Sequence, residues 1–169
     1  GNTGIGGSAL NNNLTGSYNS ATGVVALASN TTGNGNTANG TSALNANVSG
    51  YSNVAVGFYA LYSNTTRSNL VAIGDSSLYN NGISASLPYH ATWNTAVGSK
   101  SLFSNTTGAE NTALGYNSLY ANTCGEFNTA IGSRAMLQNT SGFDNVALGN
   151  EALLSNLSGH SNTAAGLQT

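Results

Sequence analysis

Beyond its many hydroxyls and a single lysine, this chain offers two histidines, five carboxylates and one cysteine for acid–base or nucleophilic chemistry. Nucleophilic catalysis needs a base within hydrogen-bond reach of the nucleophile. His90 and His160 stand four sequence repeats apart, roughly 20 Å at about 4.8 Å per stacked repeat, so a triad is not expected. The carboxylates Asp75, Glu110, Glu126, Asp144 and Glu151 fall in variable columns. Glu110 and Glu126 nearly align between neighbouring repeats, which is the habit of a solvated surface. The calcium-binding nonapeptide G-G-x-G-x-D-x-U-x is absent, since Asp occurs only at Asp75 and Asp144. Cys124 takes a place otherwise held by Thr or Ser and has no partner for a disulfide. The expectation is no catalytic residue, no metal, no cofactor and no enzyme.

Recognition chemistry is better represented. The stretch Gly82 to Trp93 contains the only Pro, the only Trp and one of the two His residues. Leu87, Pro88, Tyr89, His90 and Trp93 therefore form a candidate binding set for a sugar or a surface receptor, because such rings combine an apolar body with a polar handle. The structural alternative is that Trp93 and Leu87 fold back over an irregular repeat, in which Leu70 replaces Asn and Arg67 replaces Gly. A second set, Tyr62, Tyr79, Phe103 and Tyr120, recurs at one place of four successive repeats. That ladder suits stacking on sugars, but aromatic packing between chains is a sufficient explanation and is the one expected. Asn-x-Thr/Ser sequons such as Asn30-Thr31-Thr32 and Asn105-Thr106-Thr107 match glycosylation acceptors but coincide with the turn of the repeat. Paired threonines raise ice binding, yet neighbours in a strand face opposite ways, so Thr-Thr makes no flat array.

The frame that positions these residues is a 17-residue repeat, N-[T/V]-A-[V/I/L]-G-x-x-[A/S]-L-x-x-N-x-[T/S]-G-x-x. Its copies open at Asn2, Asn19, Asn36, Asn53, Leu70, Asn94, Asn111, Asn128, Asn145 and Asn162, with one step, from Leu70 to Asn94, lengthened to 24 residues. A short fixed period marks a solenoid. Places two to four alternate as a short strand does. Gly at place five, never replaced, calls for positive φ or close backbone approach. Leu or Met at place nine reads as a second short strand, and the Asn-x-Thr/Ser-Gly tract at places twelve to fifteen as a turn. With place four inward, Val97, Leu114, Ile131 and Leu148 would form one core column and Leu102, Leu119, Met136 and Leu153 another. Place three would then face outward. It is Ala in every repeat but the first, where it is Gly4, and so constant a small outward residue implies a tightly packed copy of the chain.

Composition bounds the rest. Charged residues are 5% of the chain and the net charge is −2, which leaves no basic footprint for nucleic acid. No apolar run reaches the roughly 18 residues of a membrane span.

The Asn94-Thr95-Ala96-Val97-Gly98 unit and its sisters resemble the head repeats of YadA-like trimeric autotransporter adhesins, and also repeat regions of phage tail fibres and bacterial surface fibres. That resemblance implies a β-roll, three chains side by side, an extracellular setting and adhesion. The expectation as a whole is an all-β β-solenoid of about ten 17-residue rungs, a single repeat domain over residues 1–169 cut from a longer fibre, with an insertion loop at about 82–93. It would assemble as a side-by-side homotrimer and serve a structural or adhesive role on a virion tail or cell surface, in contact with a receptor or glycan. The alternative is a carbohydrate- or ice-binding β-solenoid module.

Overall fold

The computed structural model describes residues 1–169 and contains ten three-residue strands and no helix. The strands are β1 (Thr3–Ile5), β2 (Ser20–Thr22), β3 (Thr37–Asn39), β4 (Val54–Val56), β5 (Val71–Ile73), β6 (Thr95–Val97), β7 (Thr112–Leu114), β8 (Thr129–Ile131), β9 (Val146–Leu148) and β10 (Thr163–Ala165). They form one parallel sheet in sequence order, each strand pairing with the next in the repeat register, as in Thr95↔Thr112, Ala96↔Ala113 and Val97↔Leu114. The solenoid, its rung count and its 17-residue register are those the repeat predicts. Of 108 backbone–backbone hydrogen bonds only 18 lie within the strands. The turns therefore hold the rungs together as much as the sheet does.

Which side of the strand faces in is the reverse of the expectation. The central residues Ala21, Ala38, Ala55, Ala72, Ala96, Ala113, Ala130 and Ala147 are buried and belong to the core. Leu114, Ile131 and Leu148, expected inside, are exposed, at 45%, 38% and 40%. In a three-residue strand the middle side chain points one way and its two neighbours the other. The middle one here shares the core with the buried side chains of places eight and nine, and even a Cβ built at Gly4 meets Ala9 O at 3.3 Å and Leu10 Cδ1 at 3.7 Å, so crowding inside the single chain keeps place three at a methyl group. The alanines are therefore not the outward face on which a partner copy was expected to pack. The leucine column of place nine is inside as expected: Leu102, Leu119 and Met136 are fully buried, while Leu153 packs against the core only in part.

No second strand forms around that leucine. Places seven and nine both take left-handed backbone, for example Asn117 at φ 55° and Leu119 at φ 49°. Left-handed geometry costs an ordinary residue about 1–2 kcal/mol. It lets two successive side chains, such as Ser118 and Leu119, both enter the core. It also leaves the Leu119 N–H free to donate to Ala135 O at 3.0 Å in the next rung. Glycine at place five meets both demands read from the sequence. Gly98 has φ 129°, and a Cβ built there would lie 2.5 Å from the carbonyl oxygen of Gly115.

The interior is half polar. Asn at place twelve is fully buried in Asn30, Asn47, Asn64, Asn81, Asn105, Asn122 and Asn139, and Asn at place one is buried too. Buried amides need partners, and the repeat supplies them. The Asn122 side-chain nitrogen donates to Asn105 Oδ1 and to Gly125 O, both at 3.0 Å, and Asn122 Oδ1 accepts from Asn139 at 2.8 Å. Asn111 runs a parallel ladder, donating to Asn94 Oδ1 at 3.2 Å and to the same Gly125 carbonyl at 2.8 Å. Each rung is thus closed on itself through the place-fifteen carbonyl and tied to the rung before it through two asparagines.

Candidate functional site

Both ladders break at one level, and the insertion is the reason. Gly82 donates to Thr106 O at 3.1 Å, as place thirteen does in a normal rung, and the chain returns to register at Ala91, whose N–H donates to Thr107 O at 2.9 Å. The residues that loop out are therefore Ile83 to His90, standing where other rungs have one residue. Asn81 turns its side chain to Ala91 O at 2.9 Å instead of reaching the previous rung, and Asn64 Oδ1 is left buried without a partner. Leu70 replaces the place-one asparagine and is fully buried at the same level.

The loop is clamped by Arg67. Its guanidinium donates to the carbonyls of Leu87 at 2.9 Å and Pro88 at 3.4 Å, and also to that of Ala85. The expected cover of Trp93 and Leu87 over the irregular rung is not what the chain does. Trp93 is 51% exposed and Leu87 42%, while Ala91 and Thr92 are the buried residues. An arginine reaching into a ring of carbonyls holds a loop whose larger apolar side chains, Ile83 and Leu87, stay exposed, and the Trp93 ring stays free with them.

Beside the loop is an open cleft of about 480 Å³ lined by Tyr51, Thr66, Arg67, Ser68, Asn69, Pro88, Tyr89, Thr92 and Trp93. Of the residues singled out from the sequence, Pro88, Tyr89 and Trp93 meet here; Leu87 and His90 do not line it. His90 is turned back on the loop, its Nδ1 3.4 Å from the Leu87 N–H and its ring 5.0 Å from Tyr89. Sequence reasoning missed Tyr51, Thr66, Ser68 and Asn69. The register carried the signal, since Tyr51, Ser68 and Thr92 occupy place sixteen of three consecutive rungs. Tyr51 N donates to Ser68 Oγ at 3.0 Å and Thr92 Oγ1 to Tyr89 O at 2.6 Å, fixing the floor and one wall.

The aromatic ladder exists and is intramolecular. Tyr62, Tyr79, Phe103 and Tyr120 stack at 5.2 to 5.3 Å with ring planes within 14° of parallel. All four are half-buried, and Leu137 and Leu154 continue the column. Their faces are spent on one another, so packing accounts for them.

The remaining chemical groups stay apart. His160 stacks on Phe143 at 4.8 Å, and Cys124 is an exposed free thiol in a turn. The one ion pair is Arg134 with Glu151 at 2.6 Å, and no cluster of three His, Cys, Asp or Glu residues forms. The sequon asparagines are turn-closing core residues. Asn30 is fully buried and its amide donates to Asn13 Oδ1 and Gly33 O, so a folded rung presents no nitrogen for glycan transfer. The paired threonines lie in the turns, where Thr31, Thr106, Thr123 and Thr140 donate their hydroxyls to the next rung's backbone.

Comparison with protein-family models, curated proteins and solved structures found no match to this chain. The likeness to adhesin heads and tail fibres therefore rests on the repeat motif alone. No helix is long and apolar enough to cross a membrane.

Proposed function

We propose that the chain is a rod-forming segment of an extracellular fibre, of the kind found in phage tail fibres or bacterial surface adhesins, and that it works as a side-by-side homotrimer. The observation that carries the rod is the unbroken ten-strand parallel register, in which nearly every residue type is explained by the rung beside it. At about 4.8 Å per rung the sheet is roughly 43 Å long, a spacer by shape. What supports association is two separate apolar columns. One is the outward strand stripe Val56, Ile73, Val97, Leu114, Ile131 and Leu148, flanked at place two only by Thr and Val over those rungs. The other is the aromatic column at place ten. A twofold interface uses one patch twice, whereas a closed ring of three needs two different patches that fit each other. Neither column carries a charge in any rung, so nothing opposes their contact.

Sedimentation equilibrium at micromolar concentration tests this. The expected mass is three times the 16.9 kDa of one chain, falling to a folded monomer in the double variant Leu114→Lys, Ile131→Lys. A wild-type monomer would refute the assembly.

A second reading, ice binding, draws on the same strand face, where Thr95, Thr112 and Thr129 stand outward beside Val97, Leu114 and Ile131. Inhibition of ice recrystallisation by a chain that sediments as a monomer would favour it over the trimer.

A further inference from the structure

We infer that the cleft between the insertion loop and the fourth rung is a binding site for a neutral saccharide. It goes beyond the rod reading and is argued from side chains of a single chain. Three aromatic rings face solvent around it: Tyr51 at 52%, Tyr89 at 50% and Trp93 at 51% exposure. Unlike the stacked ladder, none of these three stacks on another of them. A pyranose has an apolar face of C–H groups and a rim of hydroxyls. Rigid amphipathic rings offer such a ligand large contact area together with a polar tip.

The polar complement is of the right kind. Thr66, Ser68, Asn69 and Thr92 line the cleft with hydroxyls and an amide, groups that both donate and accept. The side chains of Asn69, Thr66 and Trp93 make no hydrogen bond within the chain, so their donors and acceptors now face water and can be exchanged for sugar hydroxyls. The volume, about 480 Å³, falls in the usual range of roughly 300–1,000 Å³ for small-molecule sites.

Charge decides the class of sugar. Arg67 is the only charged residue of the lining; its two terminal nitrogens are committed to the loop carbonyls of Ala85, Leu87 and Pro88, and its Nε is buried away from the cleft water without a partner. An acidic sugar would find no free cation, and a cationic ligand no carboxylate. Clamping by Arg67 also means that the walls are set before the ligand arrives, which reduces the ordering cost of binding.

Trp93 is the chain's single tryptophan, so intrinsic fluorescence reads the site directly. The full chain is titrated to millimolar concentration with maltotriose, cellotriose, mannotriose and lactose, and with sialyllactose as the anionic counterpart of lactose. At least one neutral sugar is expected to give a saturable change in emission. Tyr51→Ala, which keeps the reporter, should weaken that affinity at least tenfold, Tyr51→Phe less than threefold, and Tyr116→Ala, an exposed ring elsewhere, not at all. Thermal melts coinciding with wild type show that the Tyr51 variants are folded. No saturation by any neutral sugar overturns the proposal, as does binding that survives Tyr51→Ala unchanged. Sialyllactose binding more tightly than lactose overturns the neutral class. Saturation by a proline-rich peptide in place of every sugar would make the cleft a peptide site and overturn it equally.

Discussion

Replacing Asn122 and Asn64 by alanine, one at a time, isolates the worth of the asparagine ladder. Both residues stand at place twelve and both are fully buried, so the packing lost with the side chain is nearly the same and cancels in the comparison. Their hydrogen bonds differ. Asn122 makes three: to Asn105 Oδ1, to Gly125 O, and from Asn139. Its loss leaves Asn105 Oδ1 without a donor and one Asn139 N–H without an acceptor, while Gly125 O keeps its bond from Asn111. Asn64 makes two, to Asn47 Oδ1 and Arg67 O, and its own Oδ1 is already unpartnered. Its loss orphans only Asn47 Oδ1 and removes one orphan that was there before. An unsatisfied buried polar group costs about 1–3 kcal/mol. Asn122→Ala should therefore cost at least about 2 kcal/mol more than Asn64→Ala, from two orphans against a net of none. In a protein of this size that is a Tm difference of roughly 4–8 °C, measurable by calorimetry and checked by denaturant midpoints. Equal losses, within about 0.5 kcal/mol, would show that the amide ladder contributes nothing beyond filling space and would refute the reasoning.

Ala113 reports on the direction of the strand: Ala113→Leu places three extra carbons between Ala96 and Ala130 and should destabilise the single chain by about 1–3 kcal/mol or more. An unchanged melt with altered oligomer mass would instead restore an outward place three. Gly98→Ala should be among the most damaging single-methyl additions in the chain, because the new Cβ meets the Gly115 carbonyl carbon at 2.6 Å in a backbone conformation that disfavours side chains. Loss of soluble folded protein, or a fall in Tm well beyond that of Ala113→Leu, is the expected result; a neutral substitution would mean that the rungs can separate at that corner.

The period, the strand at places two to four, the corner glycine and the buried leucine column were all legible in the repeat, because each is fixed by a constraint that acts within seventeen residues. The sense of the strand was not. Three residues alternate too briefly to separate an apolar outside from a small inside. Ala113 is consistent with either packing, and only the width of the interior, set by side chains from the opposite wall, decides between them. The burial of Asn122 was hidden for a different reason. A turn former of that type is normally outside, and it is buried here only because an identical amide lies one rung above and one below, a contact the linear sequence shows only once the stacking is known. The left-handed leucines follow the same pattern: nothing in Leu119 by itself favours φ 49°, and the next rung's carbonyl makes it worthwhile. At the cleft, the loop drew attention through its rare residues, whereas Tyr51 sits in an ordinary rung and acquires its neighbours two turns later.

The asparagine ladders have one direction. In both columns, wherever one asparagine amide donates to another, it donates to the rung that precedes it, as Asn30 does to Asn13 and Asn145 to Asn128. Every rung consequently has a donor side and an acceptor side, and the aligned amide dipoles add along the axis as peptide dipoles do in a helix. A whole seventeen-residue block can be gained or lost without disturbing that order, since the blocks on either side still meet N–H to oxygen. A block entering upside down would set N–H against N–H in two columns at once. The stack is thus a one-way grammar: growth by duplication preserves it, inversion is ungrammatical, and any axial contact between two such rods is restricted to head on tail.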